Sequence, residues 1–195
     1  MSKNLYIIAG CNGAGKTTAS FTILPEILDC REFVNTDEIA RGLSPFQPEK
    51  AAIEAGKIMI ERIKLLLNKN VNFAIETTLA SKTYKNTIIN AQKAGYCVTL
   101  IFFWLQNVEL AKKRVQKRVA EGGHNIDSDI IERRYFSGIK NLFEIYLPIV
   151  DTAFIYDNSE GDQKIIAEKS INSRIIVVNQ HKYNQLLKYY DTTRK

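Results

Sequence analysis

The stretch Gly10-Cys11-Asn12-Gly13-Ala14-Gly15-Lys16-Thr17 decides the reading of this chain. It has the form G-x-x-x-x-G-K-[ST], and its flanks supply the context that form needs. Leu5-Tyr6-Ile7-Ile8-Ala9 is a short apolar run suited to a buried strand, and no Pro or Gly interrupts the residues from Thr18 until Pro25, so a helix is expected there. Strand, glycine-rich turn and helix together make a phosphate cradle. The turn aims successive backbone N–H groups at an anion, and the helix amino terminus adds its positive dipole end. Candidate nucleotide contacts are Asn12, Gly13, Ala14, Gly15, Lys16, Thr17 and Thr18. Lys16 is expected to reach the β- and γ-phosphates of ATP, and the Thr17 hydroxyl to hold Mg²⁺.

Working outward, apolar runs alternate with helix-like segments. Glu32-Phe33-Val34-Asn35 reads as a short strand ending at Thr36-Asp37, and Leu43 to Phe46 as a loop. A long helix follows from Pro48 toward Asn68, with Ala52, Ala55, Met59, Ile63 and Leu66 on one face. Val71 to Ile75 is the third strand, and Lys82 to Ala94 a helix stopped by Gly95. Cys97 to Leu105 has the unbroken apolar character of a central parallel strand. Val108 to Ala120 is helical up to Gly122-Gly123. A further amphipathic helix carries Ile131, Tyr135, Ile139, Leu142 and Tyr146, and Thr152 to Tyr156 is a fifth strand. Beyond it lie one apolar run, Arg174 to Val178, and a basic helix-like end. The expected fold is α/β: a five-stranded, mainly parallel sheet of the P-loop nucleotide-kinase kind, with helices on both faces and a helical lid. One domain is expected over 1–195, with 111–136 as the lid region and 160–195 as a C-terminal extension.

Composition narrows the class. The 195 residues are 45% hydrophobic, enough for a substantial core. No stretch approaches the ~20 apolar residues of a membrane span, and the first strand leaves no room for a signal peptide. Cys11, Cys30 and Cys97 lack paired metal spacing, and their odd number favours reduced thiols in the cytoplasm. The net charge of +6 suits a protein that surrounds phosphates with cations. No long Lys/Arg run or interleaved aromatics points to nucleic acid. His124 and His181 are the only histidines, and neither has carboxylates at zinc spacing.

In open parallel sheets ligands gather at the carboxyl ends of strands. Asp37, past the second strand, and Glu76, closing the third, fall there. Phosphoryl transfer needs a group to take the acceptor's proton and oxygens to fix the metal. Asp37 is assigned as general base and Glu76 as an acceptor contact. The converse, or a metal role for Glu76 through water, stays open, and a helix N-cap is the structural alternative for Asp37. Thr78, Arg41 and His124 complete the substrate-side candidates; His124 sits in the glycine hinge, where contact with phosphate, donation to substrate and a capping role are all chemically available. Arg114 and Arg118 are neighbours on one helix surface. On the next helix Arg134 flanks the apolar stripe while Arg133 points nearly opposite. Arginines on both arms of this glycine-hinged loop suit a lid that closes on ATP, with Arg134 aimed inward. Trp104 reads as core or pocket wall.

Gly10 to Thr18, Phe33 to Ala40, Leu43 to Phe46, Phe73 to Leu79, Gly122 to Ile126 and Arg133 to Tyr135 together resemble the zeta-toxin-related P-loop kinases of bacteria, in the right order over roughly positions 4 to 159. The resemblance implies ATP-dependent phosphorylation of a UDP-activated N-acetyl amino sugar at its 3′-hydroxyl, a base at Asp37, acceptor contacts at Glu76 and Thr78, phosphate-facing Arg118 and Arg134, and an antitoxin partner. Gly122-Gly123-His124-Asn125-Ile126 departs from the toxin pattern and resembles a branch of predicted ATPases or kinases. Two other functions fit a P-loop: a polynucleotide 5′-hydroxyl kinase, and a nucleotide-dependent binding module without transfer. No N-K-x-D guanine signature or LSGGQ element is present, which disfavours GTPase-switch and transport-ATPase readings.

Overall fold

A computed structural model describes residues 3–123 and 125–193. The chain runs β1 (Lys3–Gly10), α1 (Lys16–Thr22), β2 (Phe33–Val34), α2 (Thr36–Leu43), α3 (Ala52–Lys69), β3 (Phe73–Thr77), α4 (Tyr84–Lys93), β4 (Tyr96–Trp104) and α5 (Val108–Ala120). It continues through α6 (Ser128–Asn141), α7 (Leu147–Ile149), β5 (Thr152–Asp157), β6 (Lys164–Lys169), β7 (Ile176–Val177) and α8 (Gln180–Thr192).

The strands form one sheet in the order β2-β3-β1-β4-β5-β6-β7. Pairings from β2 through β5 are parallel, and β6 and β7 add antiparallel. The sheet is therefore α/β and mostly parallel, with seven strands rather than the expected five. The apolar run at 174–178 supplies β7, whereas β6 carries no clear sequence signal because its short Ile165-Ile166-Ala167 centre is enclosed by charges. The turn before it uses Gly161 at φ +97°, a backbone conformation that favours glycine.

Leu5 to Ala9, Phe73 to Glu76 and Leu100 to Trp104 are all buried without alternation. Consecutive side chains of a strand point to opposite faces, so both faces of the sheet's centre are covered. On α3, the buried Ala55, Met59, Ile63 and Leu66 repeat at helical spacing. The segment after Ser128 bends through a π-helical turn at Leu142–Tyr146, and Pro148 at the start of α7 cannot donate to a preceding carbonyl. Trp104 is core: it is buried, and its indole N–H donates to the Tyr135 hydroxyl, which donates in turn to the Leu105 carbonyl.

Register brings the carboxyl ends of four strands level. Ile8 lies opposite Glu76, Gly10 opposite Phe103, and Trp104 opposite Asp157. Gly10 must be glycine there, since a Cβ would stand 2.3 Å from the Phe103 carbonyl oxygen. The chain leaves β1 tightly wedged against β4 and turns at once into the phosphate loop.

Candidate active site

The loop between β1 and α1 is closed by the Ala14 N–H donating to the Cys11 carbonyl at 3.2 Å. Gly13 and Gly15 both sit in left-handed backbone, at φ +78° and +81°. Lys16 is buried, and its Nζ donates to the Cys11 carbonyl at 3.0 Å while lying 3.6 Å from Glu76 Oε1. Cys11 has no nucleophilic part here, because burial pushes its thiol up to about 11 and keeps it neutral.

Glu76 is the centre of the polar cluster. It is only 8% exposed at the end of an apolar strand. Thr17 Oγ1 donates to its carboxylate at 2.8 Å, and Asn35 Nδ2 does so at 3.1 Å. Burial raises its pKa above the ordinary 4.5, with the neighbouring Asp37 carboxylate pushing the same way and Lys16 and Thr17 opposing. Asn35 links the two acids, donating to the Glu76 carboxylate and accepting from the Asp37 backbone N–H. Asp37 is exposed in the first turn of α2. It is not the N-cap; Asn35 is, accepting from the Asp37 backbone N–H at 2.8 Å. One buried asparagine thus starts α2, aims Glu76 and leaves the Asp37 carboxylate unspent.

The cations divide. Arg134 is half-buried and its Nη1 donates to Asn12 Oδ1 at 3.3 Å, within the phosphate loop, while Arg133 is exposed. Arg118 lies under the loop after α5: a Cβ on Gly123 would meet its Cγ at 2.6 Å. The arginine beside Gly13 is instead Arg114, whose Cβ is 3.2 Å from where a Gly13 Cβ would stand and whose Nη2 donates to the Ser159 carbonyl at 2.9 Å. Lys112 ties α5 to α6 by donating to Glu132 at 2.7 Å. Arg41 is exposed and lies 3.7 Å from Glu38 on its own helix. Thr78 accepts from the Ala80 N–H at 3.4 Å, turning the chain after β3, and Thr18 is exposed on α1. His124 lies outside the described residues.

Three polar residues join this site without an assignment from the sequence: Asn35, Arg114 as a neighbour of the loop, and Asn158. Asn158 directly follows β5 and donates from Nδ2 to the Ala14 carbonyl at 2.8 Å. The strand-end rule that singles out Asp37 and Glu76 applies equally to Asp157-Asn158, so a signal for it exists. Cavities of about 400 and 390 Å³ border α8 instead, lined by Phe136, Ser137, Lys140, Thr192 and Thr193 and by Gln106, Asn107, Gln185, Lys188 and Tyr189.

A buried lysine on a glycine turn, a hydroxyl on a buried carboxylate, a second acid beside it and an arginine reaching in together make an anion site next to a hard-oxygen site. Comparisons with known proteins bear on the fold and the family. The chain is 31% identical over 137 residues to a Haemophilus influenzae protein, covering 69% of this chain and 94% of the relative. Among solved structures, AvrRxo1-ORF1 in complex with AvrRxo1-ORF2 superposes with a TM-score of 0.76 at 15% identity, covering 95% of this chain. The chain spans 63% of that protein's length, and the same protein is also known with ATP. A structure from the PezAT toxin–antitoxin system of Streptococcus pneumoniae superposes with a TM-score of 0.66 at 18% identity, covering 100% of this chain and 88% of the other. At these identities the structures speak to the fold. No helix among the described residues is long and apolar enough to cross a membrane. The family model described as zeta toxin matches residues 1–170, and the chain therefore belongs to the zeta-toxin family.

Proposed function

We propose that this chain is an ATP-dependent phosphotransferase that moves the γ-phosphoryl group of ATP to a hydroxyl of a small molecule, with a UDP-N-acetyl amino sugar as the acceptor class. The observation that carries the reading is the junction of Lys16, Thr17 and Glu76 beside the Asp37 carboxylate. Lys16 and the loop N–H groups hold the phosphates, and Arg134 balances charge on the group in transit. Asp37 takes the proton of the attacking hydroxyl. Its exposure suits this role, since an acceptor must reach it from solvent. Arg114 and Arg118 on α5 and Arg134 on α6 lie on the two arms of the 111–136 segment, which acts as the lid, and residues 160–195 form a C-terminal extension of the single domain.

Mg²⁺ fits the oxygens present. A hydroxyl and a carboxylate 2.8 Å apart are a hard-donor pair of the kind Mg²⁺ takes alongside phosphate. When bound, the ion neutralises charge on the phosphates. Of the roles open to Glu76, its orientation onto Thr17 supports the metal side over acceptor contact. Arg41, Thr78 and His124 remain the acceptor-side assignments. Membership in the zeta-toxin family also supports an antitoxin partner, as in the PezAT system, and the cytoplasm as the place of action.

Incubating the protein with Mg-ATP and a panel of UDP-sugars tests the acceptor class. The expected result is a gain of one phosphoryl group by an N-acetyl amino sugar with matching ADP release. ADP release with no modified sugar in the panel would remove that class.

Two further outcomes follow. Arg134→Ala is expected to slow transfer by at least 10²-fold, of the order seen when one transition-state donor is lost, and Arg133→Ala to leave it within a few-fold; steady-state kcat for both variants decides, and the reverse order sinks the assignment. The second concerns pH. Because its folded-state pKa is raised, Glu76 keeps its proton in a window above 4.5 where an unfolded chain has lost it. Ionised Glu76 therefore costs stability, and that cost disappears as pH falls through the raised value. Metal and Lys16 need the ionised form, so Mg-dependent ATP affinity should rise with pH across that window. Glu76→Gln should bind weakly with a flat profile, and an unchanged profile in that variant contradicts the role.

A further inference from the structure

Asn158 is 6% exposed, yet only half of its side chain is used. Its Nδ2 donates to the Ala14 carbonyl, while its Oδ1 is buried and accepts from no donor among the described residues. A buried acceptor left without a donor is a net liability. Features retained against stability concentrate at functional positions. The donor half indicates which function. The Ala14–Gly15 peptide is planar and trans, so its C=O and N–H point to opposite sides. Holding the Ala14 carbonyl on the Asn158 side turns the Gly15 N–H to the opposite side, where the ATP reading of the loop puts the phosphates. Gly15 can follow only because it lacks a Cβ, which would stand 2.6 Å from Asn158 Nδ2.

The latch is itself held. The Asn158 backbone N–H donates to the Trp104 carbonyl at 2.9 Å. Next to it, the buried Asp157 carboxylate takes Lys182 of α8 at 2.8 Å and the Ser159 N–H at 2.9 Å. Burial alone would raise the Asp157 carboxyl, but these donors offset that and hold it below the ordinary carboxylate value. On the other side, Ser159 accepts from Arg114 of α5 at 2.9 Å. The turn after β5 thus joins the tail helix to the phosphate loop.

We propose that Asn158 is a positioning residue for ATP binding: it latches the Ala14 carbonyl so that the Gly15 N–H faces the phosphates, and α8 steadies the latch through Lys182 and Asp157. The proposal rests on the reading of the loop as an ATP site. The test compares wild type, Asn158→Leu, Asn158→Asp and Lys182→Met for ATP dissociation constant, melting temperature and the Gly15 amide proton resonance with and without ATP. Asn158→Leu removes the donor and the orphaned Oδ1 together and leaves the Ala14 carbonyl as the unpaired acceptor in its place, so one such acceptor is exchanged for another. It should weaken ATP binding roughly tenfold, the equivalent of about 1.4 kcal/mol for one neutral hydrogen bond, with little change in melting temperature. The ATP-induced downfield shift of the Gly15 amide should vanish, which a mere loss of packing would not cause. Asn158→Asp, which faces a carboxylate to the carbonyl, should bind at least as weakly. Lys182→Met should weaken binding several-fold and carries the test if Asn158→Leu does not fold. ATP affinity equal to wild type in all three variants, or lost only in step with melting temperature, overturns the latch alone. Absence of ATP binding by the wild type overturns the ATP site and the latch together.

Discussion

Asp37→Asn is expected to cut phosphoryl transfer by about 10² to 10⁴-fold, the span usual for loss of a general base. ATP affinity should stay close to wild type, because the altered carboxylate makes no hydrogen bond to the phosphate loop among the described residues. The fold should also persist. The cap of α2 is Asn35, and it uses the backbone N–H of residue 37 rather than its side chain. What is lost is at most the attraction of one exposed carboxylate to a helix amino terminus, about 0.3–1 kcal/mol. Neutralising Asp37 also relieves the repulsion on Glu76, whose pKa should move back toward the ordinary value. Single-turnover transfer and ATP titration on the same preparation separate the outcomes. Undiminished transfer would remove Asp37 from the mechanism.

Lys16→Ala is expected to lower ATP turnover by at least 10²- to 10³-fold through loss of the charge on the transferring group. Here stability must be separated from chemistry. Lys16 and Glu76 are each only 7% exposed along their side chains, so removing the lysine leaves a buried carboxylate without its counter-ion. Breaking such a pair costs on the order of 3 kcal/mol or more. Thr17 and Asn35 still donate to Glu76 and moderate that cost. The double variant Lys16→Ala/Glu76→Gln removes the orphaned charge. It should regain most of the lost melting temperature and none of the turnover. Turnover that recovers along with stability would mean that Lys16 serves the fold and not the phosphates.

The scaffold of this site is legible in the sequence because strong local signals coincide with it. The glycine turn requires left-handed backbone at residues 13 and 15 and has it. The unbroken apolar runs of β1, β3 and β4 are buried on both faces, and α5 runs from Val108 to Ala120 as its periodicity predicts. Asp37 and Glu76 stand out by their place at strand ends. What stays hidden depends on pairing between distant segments. β6 is a strand only because β5 offers it an edge, and its own composition has few residues that select for extension. The sequence pattern carries the second strand through Asn35, yet the strand stops at Val34 and frees Asn35 to cap α2 and to aim Glu76. Arg114 and Asn158 meet the phosphate loop from segments about 100 and 145 residues away in the chain, a proximity that no local pattern encodes. The inward aim of Arg134, by contrast, follows from helical periodicity alone, because the buried Ile131 and Tyr135 fix which face meets the sheet.

In the proposed reaction the γ-phosphoryl group leaves ATP for a hydroxyl held between the phosphate loop and Asp37. Its most direct test works whatever molecule carries that hydroxyl. ATP carrying ¹⁸O in its γ-phosphoryl group is incubated with Mg²⁺, a bacterial metabolite extract and either wild-type protein or Asp37→Asn, and the labelled products are resolved by mass spectrometry. A labelled phosphomonoester should accumulate with wild type and be nearly absent with the variant. Label recovered only in inorganic phosphate, or remaining in ATP, would contradict that reaction.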